Sequence, residues 1–592
     1  MLCLTQPAEV LEQRSSMRSR GSHRQTLHVN GFILELNTKN FPGRAALALV
    51  MFSENPALGD GTALDRYVAA PDSSYRYNPT ATIPGDGYTA HILEMASQHW
   101  RNETEVDRPL WKHWLTIIEP EQVAADAALL IIAGGSNEKG PPSRVNPLLS
   151  MAAVATRSVI AELRMVPNQP LTFPDETQTR SEDAIIAYSW DKYLRTGDEA
   201  WPLRLPMTKS VVRAMDAISA FCRSAAGGGI AVDRFVLGGA SKRGWTAWTT
   251  AAVDKRVAAV VPVVIDLLNI ETSFEHHYRA YGFWAPAIAA YQASGIMRWA
   301  GTAELTSLLK IEDPYSYRDR LSMPKFMINS TGDQYFLPDS SQFYFDGLVG
   351  EKYLRYVPNT DHSLKGSDAP ESAFAFYEAI AAGRARPKFS WSFEPDGSIV
   401  VKTETQPIAA ALWQAINPNA RDFRLEAIGP AYRRSTLEEN GDSIFAVRAP
   451  EPARGWVAYF VELTFSSGGS FPFTFTTGVR VTPRHSAVRA ATRDGGGPRR
   501  RPLSRGPTVR ISLLPPASLL KWLRLRLLLR GGGASPLAVA SRRVVRSAGL
   551  PGSCASKSPS SETLRLEWPI VKIVGGYSTR CPPTIEPLWA LA

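Results

Sequence analysis

At 592 residues the chain is too long for one ordinary core, and a 44% hydrophobic, 21% charged composition is that of a folded globular protein rather than a disordered or fibrous one. The net charge of +10 does not mark a nucleic-acid binder, because it belongs to one end: residues 485–592 carry 18 Lys and Arg against 4 Asp and Glu, leaving 48 against 52 before them. Of the four cysteines, Cys3, Cys222, Cys554 and Cys581, only Cys222 falls in the well-patterned body, which excludes a disulfide framework or a thiolate metal site there.

Near the N-terminus, Arg44 precedes an eight-residue apolar run from Ala45 to Phe52, and Ala57-Leu58-Gly59 follows with small residues at the spacing of a signal-peptidase site. Residues 1–59 are therefore expected to be an extension carrying a displaced export-like segment, and the product to be exported, periplasmic or secreted; a short buried helix is the alternative. No apolar run approaches the length of a membrane-spanning helix.

From Thr89 to Trp100 and from Leu110 to Pro120 the pattern predicts an antiparallel strand pair. "AALLIIAGG" (Ala127 to Gly135) is a short, wholly apolar run that suits a strand buried on both faces of a parallel sheet. Val211, Met215, Ile218 and Cys222 recur at the spacing of one buried helical face, predicting a helix over Thr208 to Ser224. "FVLGG", a helix through "KRGWTAWTTAAVD", and the strands "VAAVVPVVI", "KFMINSTGD" and "KYLRYVPN" follow. This alternation predicts an α/β domain over residues 60–385 with a mainly parallel sheet. Residues 266–320, rich in Phe, Tyr, Trp and His, read as a lid over the sheet edge where ligands bind, or as an ordinary helical core. "FSWSFEPDGSIVVKTE", "DSIFAVRAP" and "GWVAYFVELTF" alternate at period two, predicting a small β-sandwich over 388–484. The basic tail, 485–592, is expected to be disordered or wrong-frame, and its "KWLRLRLLLR" follows no consistent amphipathic face.

The chemistry centres on "FVLGGASKRGW" (Phe235 to Trp245). A nucleophilic serine on a strand-to-helix turn needs small residues two positions away on either side. Gly239 meets that need before Ser241, but Arg243 occupies the position after it and the glycine arrives at Gly244. The alternative is a tight crossover that merely needs small residues. A serine nucleophile also requires a base and an acid that orients it. Asp333, in "STGDQYF", and His362, in "PNTDHSLKG", each follow a predicted strand; Asp266, Asp339 and Asp361 are other candidate acids. His276 and His277 fall in the lid segment and read as packing or surface residues. Oxyanion donors are expected from the backbone N–H of Lys242 and from the loop at Gly134, Gly135 and Ser136. Arg243 and Lys242 could attract an anionic substrate group, and Glu182 or Asp183 a substrate amine, although charges at helix starts need no such role. Trp284 is a candidate substrate contact in the lid. No zinc-type Cys/His spacing and no phosphate-binding glycine loop occurs, so neither a metal nor a cofactor is expected. The expected partner is a small-molecule or peptide substrate rather than nucleic acid.

The stretches "GASKRGWTAWTTAAVDKRVAAVVPVVIDLLNIE", "HHYRAYGFWAPA", "DPYSYRDRLSMPKFMINSTGDQYFLPDSSQFYF" and "EKYLRYVPNTDHSL" closely resemble the PhoPQ-activated pathogenicity-related protein family, over about Asp60 to Arg484. The resemblance implies an exported α/β-hydrolase with Ser241, Asp333 and His362 as the triad. It also makes the Arg at 243 a family trait. It implies no particular substrate. The leading expectation is a virulence- or envelope-associated serine hydrolase that cleaves an ester or amide through an acyl-enzyme. The alternatives are a dipeptidyl-peptidase-like enzyme and a non-catalytic secreted binding or signalling protein.

Overall fold

Short apolar runs bounded by glycine become strands, and longer stretches with a helical repeat become helices, in a computed structural model that describes residues 61–484 and one strand pair before them. That pair, Arg24–Val29 (β1) and Phe32–Asn37 (β2), is antiparallel, and with helix α1 (Ala63–Ala69) it falls in a unit of residues 1–70. The export-like segment around residues 44–59 and the basic tail, 485–592, lie outside the described residues.

The second unit starts at Pro71. Its strands are β3 (Arg76–Gly85), β4 (Tyr88–His99), β5 (Leu110–Pro120), β6 (Ala127–Ile132), β7 (Ile160–Leu163), β8 (Arg234–Ala240), β9 (Val257–Val263), β10 (Lys325–Ser330) and β11 (Lys352–Val357). They continue with β12 (Phe389–Phe393), β13 (Ile399–Thr403), β14 (Ala409–Asn417), β15 (Arg433–Thr436), β16 (Ile444–Val447), β17 (Trp456–Phe465), β18 (Phe473–Thr476) and β19 (Arg480–Thr482). The helices that frame the site are α2 (Pro147–Thr156), α3 (Asp183–Thr196), α4 (Arg204–Arg223), α5 (Lys242–Val253), α6 (Ile270–Tyr281), α7 (Ala289–Ala293), α8 (Ala303–Glu312) and α9 (Ala369–Ala381).

One large sheet runs in the order β15-β14-β17-β18-β11-β10-β9-β8-β6-β7-β5-β4-β3, with β19 paired to β17. The six strands from β7 to β11 are joined by five parallel pairings, whereas the flanks contribute eight antiparallel ones, so the sheet is mixed rather than mainly parallel. The difference has a physical origin. Strands buried on both faces, such as β6 and β8, read as continuous apolar runs, and those are the strands that the βα alternation reveals. The antiparallel flanks attach by edge pairing, which leaves no local mark.

Edge pairing also carries most of the C-terminal strands into the large sheet. Strand β18 lies antiparallel to β11, with Leu354 opposite Thr476, and carries β17, β14 and β15 into the large sheet. Strands β12, β13 and β16 form a separate three-stranded sheet. Its Ile399, Val401 and Phe445 share one buried apolar cluster with Val457, Tyr459 and Val461 of β17. Residues 388–484 thus contribute a second layer and an extension of the main sheet. A turn at Asp396-Gly397 joins β12 to β13: Asp396 Oδ1 accepts the Ser398 N–H at 2.9 Å, and Gly397 takes a φ of 101°.

From β6 the chain passes through α2 to β7 on one side, then through α3 and α4 to β8 on the other. That reversal puts a topological switch point between β6 and β8, the kind of place where open α/β sheets hold ligands. Strand register keeps the neighbouring ends level, with Ala240 opposite Val263 and Ser330 opposite Val357.

Candidate active site

Ser241, Asp266, Asp333 and His362 follow the ends of four consecutive strands, β8, β9, β10 and β11. Ser241 sits at the apex between β8 and α5 with φ 54° and ψ −128°, a conformation that side chains rarely adopt. It is held on both sides: its N–H donates to Val263 O at 2.8 Å, and its carbonyl accepts from Trp245 N at 3.0 Å.

The turn explains the displaced glycine. A Cβ on Gly239 would lie 2.7 Å from the backbone carbon of Arg243, and one on Gly244 would lie 2.7 Å from the carbonyl oxygen of Gly239. The first turn of α5 therefore rests on the last turn-facing residue of β8, with glycine on both sides of the contact. The close approach falls at 244 rather than 243, so the side chain at 243 is free to be large.

That side chain is a brace. The Arg243 guanidinium is buried, donates to Val166 O at 2.7 Å and pairs with Glu182 at 2.6 Å. Lys242, also buried, reaches Glu182 at 2.9 Å and Asp183 at 3.3 Å. Burial pushes the Glu182 carboxyl up, but the Arg243 and Lys242 charges beside it outweigh that and hold it down at about 2. Glu182 itself has φ 53° and ψ −130°, nearly the backbone of Ser241. Its N–H donates to Gln169 at 2.9 Å, and Asn137 N donates to Gln169 O at 2.6 Å. These contacts link the serine turn to the segment after β6. The residues expected to bind substrate charges pair with one another.

His362 Nδ1 lies 2.8 Å from Asp333 Oδ2. The other carboxylate oxygen of Asp333 accepts the Tyr335 N–H at 2.7 Å, and the His362 N–H donates to Gln334 Oε1 at 3.0 Å. Three successive residues after β10 thus fix the acid and the imidazole. The other candidate acids have different partners. Asp339 pairs with His276 at 3.0 Å and Arg421 at 2.5 Å, and despite its burial these hold its carboxyl far below the usual range. Asp361 accepts from Ser363. Asp266 accepts from the hydroxyls of Tyr344 and Tyr356.

A cleft of about 600 Å³, counting space open to solvent, is lined by Ser241, Lys242, Asp183 and Asp266 among mainly apolar and aromatic side chains. Residues 266–320 contribute Leu267, Ser273, Phe274, His277, Ile288 and Tyr291 to its wall. Tyr335 and Phe336 belong to the same wall, with their rings 4.4 and 6.0 Å from that of His362. Trp284 does not line it: the indole stacks on His277, whose imidazole accepts the Ala285 N–H at 3.0 Å. Burial pushes His277 down to about 4, so it is a neutral packing group. Gly135, with φ 134°, and Ser136 end β6 across the switch point but are not among the lining residues.

Sequence reasoning missed Tyr335 and gave Asp266 only a reserve role. Burial holds the Tyr335 phenol up at about 12, so it stays a hydrogen-bond donor at neutral pH. Burial raises the Asp266 carboxyl to about 7, against the two tyrosine hydrogen bonds that lower it, and the charges of Asp333 and Asp339 add to the rise. The position three residues beyond a buried strand end was the available signal. A raised folded pKa means that the neutral form is favoured by folding, so this contribution is intact below about 3.8 and lost as pH rises to about 7. Asp266→Asn is therefore expected to gain on the parent protein by roughly 4 kcal/mol across that window and to hold the gain above it. Urea midpoints of both proteins across the pH range check this, and a pH-independent difference contradicts it.

Among the described residues no helix is long and apolar enough to cross a membrane, and no group of three His, Cys, Asp or Glu is placed to hold a metal ion. Among solved structures the chain is similar to acetyl xylan esterase 1 from Thermoanaerobacterium sp. JW/SL YS485, at 15% identity over 54% of this chain and 92% of that one, with a TM-score of 0.38. It is also similar to the Pyrococcus horikoshii acylaminoacyl peptidase, at 13% identity over 54% of this chain and 52% of that one, with a TM-score of 0.31. Autocrine proliferation repressor protein A of Dictyostelium discoideum is 34% identical over 457 residues, 71% of this chain and 90% of that protein. The family model for PhoPQ-activated pathogenicity-related proteins matches residues 64–424, and the chain belongs to that family.

Proposed function

We propose that the chain is a serine hydrolase that cleaves an ester or amide through an acyl-enzyme. The observation that carries the reading is the joint placement of a strained serine on the cleft wall and an aspartate–histidine pair at the ends of nearby strands of one sheet. Ser241 Oγ attacks the substrate carbonyl, and His362 Nε2 takes its proton and returns it to the leaving group. Asp333 accepts from Nδ1, which fixes the tautomer and stabilises the imidazolium. The Lys242 N–H, at the start of α5, is one donor to the developing oxyanion, and the Gly135–Ser136 loop at the end of β6 is the source of the second. The ion pairs of Glu182 and Asp183 with Lys242 and Arg243 hold the elbow in place rather than bind substrate. The segment before residue 60 makes export part of this reading.

Hydrolysis of p-nitrophenyl acetate tests it. The native protein is expected to turn the ester over, and Ser241→Ala to lose at least ~10³-fold in kcat. Equal rates for the two folded proteins would favour a non-catalytic binding protein on this fold.

A further inference from the structure

One acid on the cleft wall is met by hydroxyls and, among the described residues, by no cation. Asp266 is 2% exposed and lines the wall that Ser241 also lines. Two tyrosine hydroxyls, one from Tyr344 and one from Tyr356 at 2.7 Å, fix one oxygen each. Among the described residues no Lys, Arg or His pairs with it, and the carboxylates of Asp333 and Asp339 act against its charge. The contrast with Asp183 is direct. That carboxylate, on the same wall, is met by Lys242 at 3.3 Å and accepts from Tyr291 at 3.1 Å. Asp266 has hydrogen bonds but no counter-charge.

Its charged form is costly without a cation: the proton meets that cost up to about pH 7, and above it a bound cation on the cleft wall would. The same cleft is lined by Trp190, Trp245, Phe274, Tyr291, Tyr335 and Phe336. Aromatic walls receive the apolar stem of an organic cation and attract its charge through their faces. They give nothing to a small hydrated anion. We propose that the substrates of this cleft carry a protonated amine on an apolar or aromatic stem, with Asp266 as the residue that selects for it. This rests on the hydrolase reading of the same cleft and narrows it to amine-bearing esters or amides.

Calorimetric titration of the full-length protein with benzylamine and with benzyl alcohol at about pH 8, where the amine is charged, tests the selection apart from catalysis. Benzylamine is expected to bind about tenfold or more tightly than the alcohol. Asp266→Asn is expected to remove that preference without removing binding of the alcohol. Equal binding of the two by the native protein overturns the proposal, as does a preference that survives in Asp266→Asn. The native comparison needs no variant, so it decides even where the variant does not fold. Labelling by a fluorophosphonate reads the hydrolase assignment separately: labelling without amine preference sinks only the substrate class, and amine preference without labelling sinks only the catalytic reading.

Discussion

Asp333→Asn is expected to lower kcat on an acyl ester by about 10⁴-fold while leaving the fold intact. The 2.8 Å contact from His362 Nδ1 is the reason. A carboxylate accepts from Nδ1–H and leaves Nε2 as the base, whereas an amide can present its N–H₂ and favour the opposite tautomer, in which Nε2 carries the proton. The volume is unchanged, and the Tyr335 N–H still has an oxygen to donate to. Circular dichroism and urea midpoints should therefore match the parent closely. The same loss from Asp339→Asn would point to the wrong acid, since Asp339 is committed to His276 and Arg421.

Gly244→Ala is expected to lower both stability and turnover. The added carbon would lie 2.7 Å from Gly239 O, 3.0 Å from the Ile265 side chain and 3.2 Å from Val263 N. Two of the three are backbone atoms in paired strands, so neither can move without disturbing the ladder between β8 and β9. Forcing helix and sheet apart costs roughly 3 kcal/mol, and the displacement falls on the residue that holds Ser241 at φ 54°. Both the urea midpoint and the ester turnover are expected to fall. Wild-type stability in Gly244→Ala would mean that α5 does not rest on β8 as described.

The parts of this arrangement that depend on neighbours in sequence were legible before any coordinates. The strand "FVLGG", the helix after it, the antiparallel pair over residues 88–120 and the loops at Asp333 and His362 all stand where the pattern put them. What depended on distant partners was not. Arg243 looked available for substrate because Glu182, its partner 61 residues away, carries no local sign of the pairing. The extension of the sheet through β18 was hidden for the same reason: period-two alternation says that a strand has two faces, not which edge it joins. Trp284 and His277 were both lid aromatics in the sequence, and only packing separates the one that faces the cleft from the one behind it. Asp266 was one of several acids past a strand end. Its importance comes from what does not surround it, and sequence cannot display that.

The displaced glycine shows the same division. Position 243 breaks the usual spacing of small residues around a nucleophile, yet Gly239 and Gly244 still face one another across the turn. The requirement is a close backbone approach, and a helix that starts slightly later meets it with a glycine one residue on. Spacing stands in for that contact only when the entry angle is the same.

Peptide mapping after treatment with diisopropyl fluorophosphate addresses the nucleophile most directly. A single adduct is expected on Ser241, within the tryptic peptide Phe235–Lys242, absent from Ser241→Ala and formed more slowly in Asp333→Asn. A folded protein that stays unmodified, or an adduct on any other residue, would contradict the assignment of Ser241.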